Sequence, residues 1–355
     1  MSHMDGRSFS AAQDFLLGAK KFWTTQMYPL LRQQDQAMAA TGAGPVHARM
    51  QQSDLYPFYA WMERHLQRMK YAGRYGLAPW HDTQREELEQ QLSVVLIDTV
   101  AGFEMPPYYR SFDVHQHPGG LMGDSLAGFV YERGARSTTP LDKHFDLHHR
   151  FTNLIGQWMQ PQRILDLGCG FGKSTRPFAQ TFAQAQLTAT DLSMPCLKLA
   201  RYLDSKEHIS HVKYLQADAC ANGLPGASHD LVTSTMLLHE LPLAHLRELF
   251  VQAYNLLAPG GWTVHLDFLP QVQPGADEFT QFIHAGHSVR NNEPYMQSLA
   301  AFDLTSHLQG LGFSDISIEP FAENDLALQA DYPFWRFPWT VVKARKPLST
   351  TRQQT

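Results

Sequence analysis

One short stretch constrains the fold of this chain more than any other: "RILDLGCGFGKST", residues 163–175. An apolar, β-like run ends at Asp166-Leu167 and passes straight into three alternating glycines, Gly168, Gly170 and Gly172. A strand that breaks into such a turn ahead of a helical segment is the entry to an open α/β sheet, where ligands sit beyond the carboxyl ends of the strands. Two phosphate-binding readings of the turn fail on spacing. A phosphate loop needs four residues between its first glycine and Gly-Lys-Ser, yet three separate Gly168 from Gly172-Lys173-Ser174. A dinucleotide turn needs its third glycine three residues after the second, and that position is Lys173. Asp166 adds an argument from charge. A carboxylate at the end of the strand repels a pyrophosphate and favours a cationic guest, directly or through water.

The rhythm after residue 160 agrees with the turn. β-like runs at 163–167, 186–190, 212–216, 231–235 and 262–267 alternate with helical segments such as 175–182 and 243–257. Runs at 316–320 and 339–344, read as separated by a short loop, complete a terminal antiparallel hairpin. The expected fold is α/β, a doubly wound seven-stranded sheet over residues 151–348. Residues 5–150 read as mainly helical, without strands up to residue 99. Phe58, Met62, Leu66 and Met69 share one apolar face there, and Leu88, Leu92, Val95 and Ile97 form another. Residues 104–124, with three prolines and a Gly-Gly pair, read as a loop. Met1 to Met4 look like an expression remnant and are set aside.

Composition excludes several classes of partner. The formal net charge is -5 and no basic run exceeds two residues, which speaks against nucleic acid. No apolar run reaches transmembrane length, so no membrane insertion is expected. Three cysteines, Cys169, Cys196 and Cys220, lack paired spacing, which points to a reducing, cytoplasmic compartment rather than a zinc ribbon or disulfide framework.

The pattern D-x-G-x-G-x-G after an apolar strand resembles motif I of the class I S-adenosylmethionine (SAM)-dependent methyltransferases. Further matches follow in the family's order: Asp191 after the second strand, "QADA" at 216–219, "HDLVTSTMLLHEL" at 229–241 and "LLAPGGWTVHLDF" at 256–268. The resemblance covers residues 153–346 and is strongest to the small-molecule branch with the ubiquinone- and menaquinone-type methyltransferases. It implies a Rossmann-like sheet, SAM as cofactor and S-adenosylhomocysteine as product. It also implies a cofactor site at Asp166, Gly168, Gly170, Gly172, Asp191, Leu192, Asp218, Ala219 and Met236. Asp191 would take the ribose hydroxyls and Asp218 would lie near the adenine amino group.

Methyl transfer from a sulfonium is an in-line displacement, so the protein must mainly position the nucleophile, exclude water and, where needed, remove a proton. His239 and Asp267 are the candidate catalytic residues. His239 has open roles as a general base or as a packing or cofactor-adjacent histidine; Asp267 is divided between substrate recognition and capping. A roof over the site is expected from two segments rich in aromatics and histidines. They supply Tyr108, Tyr109, His115 and His117, and then His284, His287, Glu293 and Tyr295, as candidate substrate contacts. Histidines at 144, 148 and 149 raise the question of a metal, but 18 histidines make chance clusters common, and no metal is expected. No Asn/Asp-Pro-Pro-Tyr motif follows the fourth strand, which lowers nucleobase and glutamine substrates. The expected acceptor is a small aromatic or otherwise apolar metabolite, methylated on oxygen, nitrogen or carbon. The alternative is a non-catalytic SAM-binding regulatory or scaffold protein, and the amino-terminal helices have homodimerisation as an alternative to covering the substrate.

Overall fold

The structure, a computed structural model, describes residues 5–136 and 146–348. Among them the strands are β1 (Asp98–Thr99), β2 (Arg163–Leu167), β3 (Gln186–Asp191), β4 (Val212–Gln216), β5 (His229–Thr235), β6 (Leu257–Phe268), β7 (Ser314–Pro320) and β8 (Trp339–Arg345). They form one sheet in the order β1-β4-β3-β2-β5-β6-β8-β7. Strands β1 to β6 pair in parallel; β8 runs antiparallel to β6 and β7 antiparallel to β8. The α/β, doubly wound arrangement with its terminal antiparallel pair is thus as expected. Ile164, Leu165 and Leu167 in β2 are fully buried, as a central strand covered on both faces requires.

Three expectations need correction. The sheet has eight strands rather than seven, because β1, from the mainly helical region read as free of strands up to residue 99, adds to the β4 edge through Asp98↔Leu215 and Thr99↔Gln216. Two residues carry no periodicity from which a strand can be read. The connection from β7 to β8 is long, residues 321–338, and contains a short helical turn at Asp325–Leu328. Residues 104–124 are not uniformly loop: they hold a short helix, Pro107–Arg110, and a turn at Val114–Gln116.

Two helical faces also differ. In the helix Leu55–Tyr71 the inward face carries Tyr59, Met62, Glu63, Leu66, Gln67 and Lys70, while Phe58 and Met69 are 51% and 49% exposed. The reason is that half of the buried face is polar, so hydrophobicity does not mark it. The helix Arg85–Leu92 stops at Leu92, so Val95 and Ile97 do not share its face; they lie partly buried in the extended chain that leads to β1.

The amino-terminal helices do not pack as an isolated layer. Trp23, Met27 and Tyr59 join Phe268, Trp335, Phe337 and Trp339 in one core cluster with the sheet. Helix Leu55–Tyr71 also packs on helix Glu278–Asn291, which lies between β6 and β7. Their contact contains the buried ion pair Glu63–Arg290. Together these elements close over the carboxyl ends of β2, β5 and β6.

Candidate active site

The glycine turn after β2 takes a left-handed course at each glycine, with φ of +67° at Gly168, +52° at Gly170 and +78° at Gly172. Only glycine adopts such a series without strain. A Cβ on Gly168 would lie 2.8 Å from Leu237, and one on Gly172 would lie 2.7 Å from the Tyr214 hydroxyl. Gly170 is held from the next strand: its N–H donates to Asp191 Oδ2 at 2.8 Å, while Asp191 Oδ1 accepts from Ser193 N–H at 2.7 Å. Burial raises the Asp191 pKa, and these backbone donors oppose the rise.

Around this turn lies a cavity lined by Gly168, Gly170, Asp191, Leu192, Asp218, Ala219 and Met236, with Tyr108 and Tyr109 on its outer wall. Seven residues of the expected cofactor set therefore come together, and two do not. Gly172 backs the turn against Tyr214. Asp166 is fully buried and accepts at Oδ2 from Ser174 Oγ (3.0 Å) and Thr175 Oγ1 (2.7 Å), which ties the turn to the helix Thr175–Thr181. Burial pushes its pKa up to about 6, against the two hydroxyl bonds. Its Oδ1 has no protein partner.

A second cavity shares a wall with the first. His115, Tyr131, Gly168, Gly170, Met236 and Glu240 line both. Met236, with φ +58°, turns the chain out of β5 at this point. Deeper in, the second cavity is bordered by Phe171, Phe268, Phe337 and Trp339, with Thr235, His239, His287, Asn291 and Glu293 as polar groups.

Here His239 and Asp267 meet. His239 Nδ1–H donates to Asp267 Oδ1 at 2.7 Å, and the residues are 2% and 0% exposed. Asp267 is fixed in turn by the N–H groups of Leu238 (to Oδ2, 2.7 Å) and Phe268 (to Oδ1, 2.8 Å). The His239 ring lies 4.6 Å from the Phe268 ring, and its Nε2 is turned to the cavity, 3.5 Å from Glu240 Oε1 and 4.0 Å from Glu293 Oε2. Burial disfavours its charged form, but the carboxylates of Asp267 and Glu240 outweigh that and hold the pKa well above that of free imidazole.

His115 bridges two carboxylates, with Nε2 3.1 Å from Glu240 Oε1 and Nδ1 3.1 Å from Glu293 Oε1. They outweigh its burial and raise its pKa to about 9; burial also opposes ionisation of Glu240 and Glu293, whose pKa values the histidines nevertheless lower. His287 Nδ1 pairs with Glu63 Oε1, and Glu63 also binds Arg290 and, at 3.0 Å, Asn291 Nδ2.

Of the expected substrate contacts, His115, His287 and Glu293 thus converge with His239, and Tyr108 and Tyr109 border the cofactor-side cavity instead. His117, His284 and Tyr295 line neither. His117 is buried under Tyr71, with ring centroids 5.0 Å apart; His284 lies against Trp335 and borders a pocket with Tyr28 and Arg336; Tyr295 packs on Tyr108 and Phe112. His148 lines the second cavity, while His144 lies outside the described residues. Sequence reasoning missed Glu240, Glu63, Gln67 and Asn291. Adjacency to His239 was an available signal for Glu240, whereas Glu63 sits in a helix whose pattern gave no sign of a site. Among the described residues no group of three or more His, Cys, Asp or Glu is arranged to hold a metal ion, and no helix is long and apolar enough to cross a membrane.

Comparison with known proteins bears on the cofactor side. Residues 164–261 match the family described as "Methyltransferase domain". The demethylmenaquinone methyltransferase of Thermus thermophilus is 32% identical over 110 residues, 31% of this chain and 49% of that protein. The phthiotriol/phenolphthiotriol dimycocerosates methyltransferase of Mycobacterium tuberculosis is 24% identical over 168 residues, 45% of this chain and 60% of that protein. A trans-aconitate 2-methyltransferase from Acidovorax sp. is 36% identical over 101 residues, 28% of this chain and 36% of that protein. The matched segments thus span between about a third and three-fifths of these relatives. The stretch 164–261 matches a methyltransferase domain, and the roof elements lie outside it.

Proposed function

We propose that this chain, built around a SAM-dependent methyltransferase domain, moves a methyl group from SAM to a small aromatic or otherwise apolar acceptor held in the second cavity. One observation carries the reading: Gly168, Gly170 and Met236 form a wall common to a cavity suited to the cofactor and a cavity lined by His239, whose ring is held by the buried Asp267. The residues of the first cavity fit the cofactor. The left-handed turn presents bare backbone at Gly168 and Gly170 to the cavity, Asp191 and Asp218 offer carboxylates for ribose and adenine contacts, and Leu192, Ala219 and Met236 supply apolar walls. When bound, SAM supplies an electrophilic methyl on a sulfonium.

The chain's own work is then positioning and proton handling. Phe268, Phe337 and Trp339 exclude water and hold the acceptor's apolar body. In its neutral form, reached only above its raised pKa, His239 receives the proton of the acceptor's nucleophilic group at Nε2, and Asp267 keeps Nδ1 protonated so that Nε2 is the nitrogen offered. Residues 5–150 cover the substrate, while 151–348 form the catalytic domain. The acceptor is taken to be a free small molecule, within a cytoplasmic protein, as charge and cysteine usage suggest.

Isothermal titration with SAM and with S-adenosylhomocysteine tests the first half. Both should bind, with or without a chelator. Failure of both refutes the cofactor assignment. Turnover of labelled SAM against a panel of aromatic, quinoid and prenylated acceptors tests the second half, and His239→Ala should abolish it while SAM binding persists.

A further inference from the structure

Two imidazole–carboxylate pairs face a single carboxylate across the second cavity. Asp267–His239 stands on the sheet side and Glu63–His287 on the roof side. His239 Nε2 is 4.0 Å from Glu293 Oε2, and His287 Nε2 is 3.9 Å from Glu293 Oε1. Those separations suit ion pairs but are too long for direct hydrogen bonds. His287 Nε2 and Glu293 Oε2 have no hydrogen-bond partner, although the residues are only 6% and 5% exposed and both line the cavity. Buried polar atoms are almost always paired, so two orphans facing one space mark where polar atoms of a ligand belong.

The chemistry of the pair narrows that ligand. Glu293 Oε2 is an acceptor and asks for a donor. His287 gives its Nδ1 proton to Glu63, so its Nε2 is an acceptor when the ring is neutral and a donor when it is charged. A hydroxyl satisfies Glu293 with its proton and meets His287 in either state. An ammonium would also donate, but Lys20 lines the same cavity, and the imidazolium of His115 and the guanidinium of Arg290 are already bound to the carboxylates here. Another cation beside them is disfavoured.

We infer that the roof side of this cavity is a recognition subsite for a hydroxyl of the acceptor, which donates to Glu293 Oε2 and meets His287 Nε2, within reach of His239 Nε2. The acceptor is thus a molecule with an apolar or aromatic body and at least one hydroxyl. This rests on the methyl-transfer reading, which names the cavity as the acceptor's.

The test uses the full chain saturated with S-adenosylhomocysteine and four probes: catechol, its dimethyl ether, anisole and benzylamine. Ligand-observed NMR titration should find catechol at least tenfold tighter than its dimethyl ether, and benzylamine no tighter than anisole. Glu293→Met should bring catechol to within about twofold of its ether without changing S-adenosylhomocysteine affinity. If that variant does not fold, His287→Leu serves, and the wild-type series stands without either. An ether bound as tightly as catechol, a preference for benzylamine, or no probe binding to the loaded protein would overturn the subsite. Absent heat on titrating S-adenosylhomocysteine would instead bring down the cofactor reading and, with it, this one.

Discussion

Substituting Glu63 by Gln removes a charge that joins the amino-terminal helices to the roof of the acceptor cavity. Glu63 is 6% exposed and binds Arg290, His287 and Asn291, all from the helix Glu278–Asn291. Burial alone would raise its pKa, but Arg290 and His287 overcome that and bring it from 4.5 to about 2. At about 1.4 kcal/mol per pKa unit, the depression corresponds to about 3–4 kcal/mol of stability at neutral pH. An independent route agrees: leaving one partner of a buried ion pair uncompensated costs roughly 3–5 kcal/mol. The sign follows from a lowered pKa. The contribution is complete above the ordinary carboxylate range and is lost as pH falls through 4.5 toward about 2. Urea unfolding of wild type and Glu63→Gln should therefore differ by about 3–4 kcal/mol at pH 7, and the two curves should converge as the medium is acidified. The double variant Glu63→Met/Arg290→Met should recover part of the loss, because the Arg290 charge is then no longer left unpaired while the His287 and Asn291 donors still are. A difference below about 1 kcal/mol at pH 7, or a gap that stays constant with pH, would refute the reasoning.

Other consequences follow from the two cavities. Asp191→Ala should weaken SAM by about 1–3 kcal/mol through lost charged hydrogen bonds, and unchanged calorimetric affinity in a folded variant would remove that residue from the site. Gly168→Ala and Gly170→Ala both place alanine in left-handed backbone, at a cost of roughly 1–2 kcal/mol. Only the first also drives a Cβ to 2.8 Å from Leu237, whereas the second meets Tyr131 at an ordinary 3.6 Å. Denaturation should show the larger loss at Gly168, and equal losses would argue against this packing. Glu240→Gln removes a carboxylate that holds His239 in its charged form, so the base becomes free at lower pH. The rising limb of the kcat/KM profile should move toward acid, and an unmoved limb would mean that His239 is not the group titrating.

How much of this could be read beforehand depended on how locally it was encoded. The glycine turn, the acids after β3 and β4, and the strand pattern from Ile164 onward were legible because each rests on a few adjacent residues. Left-handed backbone selects glycine, and a buried parallel strand selects a continuous apolar run. That local information determined the α/β fold, the place of the cavity beside the glycine turn and the prominence of His239 and Asp267.

The acceptor side was different. Nothing near position 63 announced a partner at 287 or 290, and no pattern separated His115 and His287, which face the cavity, from His117 and His284, which do not. Which of 18 histidines belong to the site was decided by the approach of the helix Leu55–Tyr71 to the helix Glu278–Asn291. The joining of β1 to the β4 edge was likewise settled by tertiary packing. The physical reason is common to both. A turn or a strand is specified by backbone preference and burial over consecutive residues, whereas a charge network depends on side chains far apart in sequence, whose pairing becomes favourable only when the fold has removed the water between them.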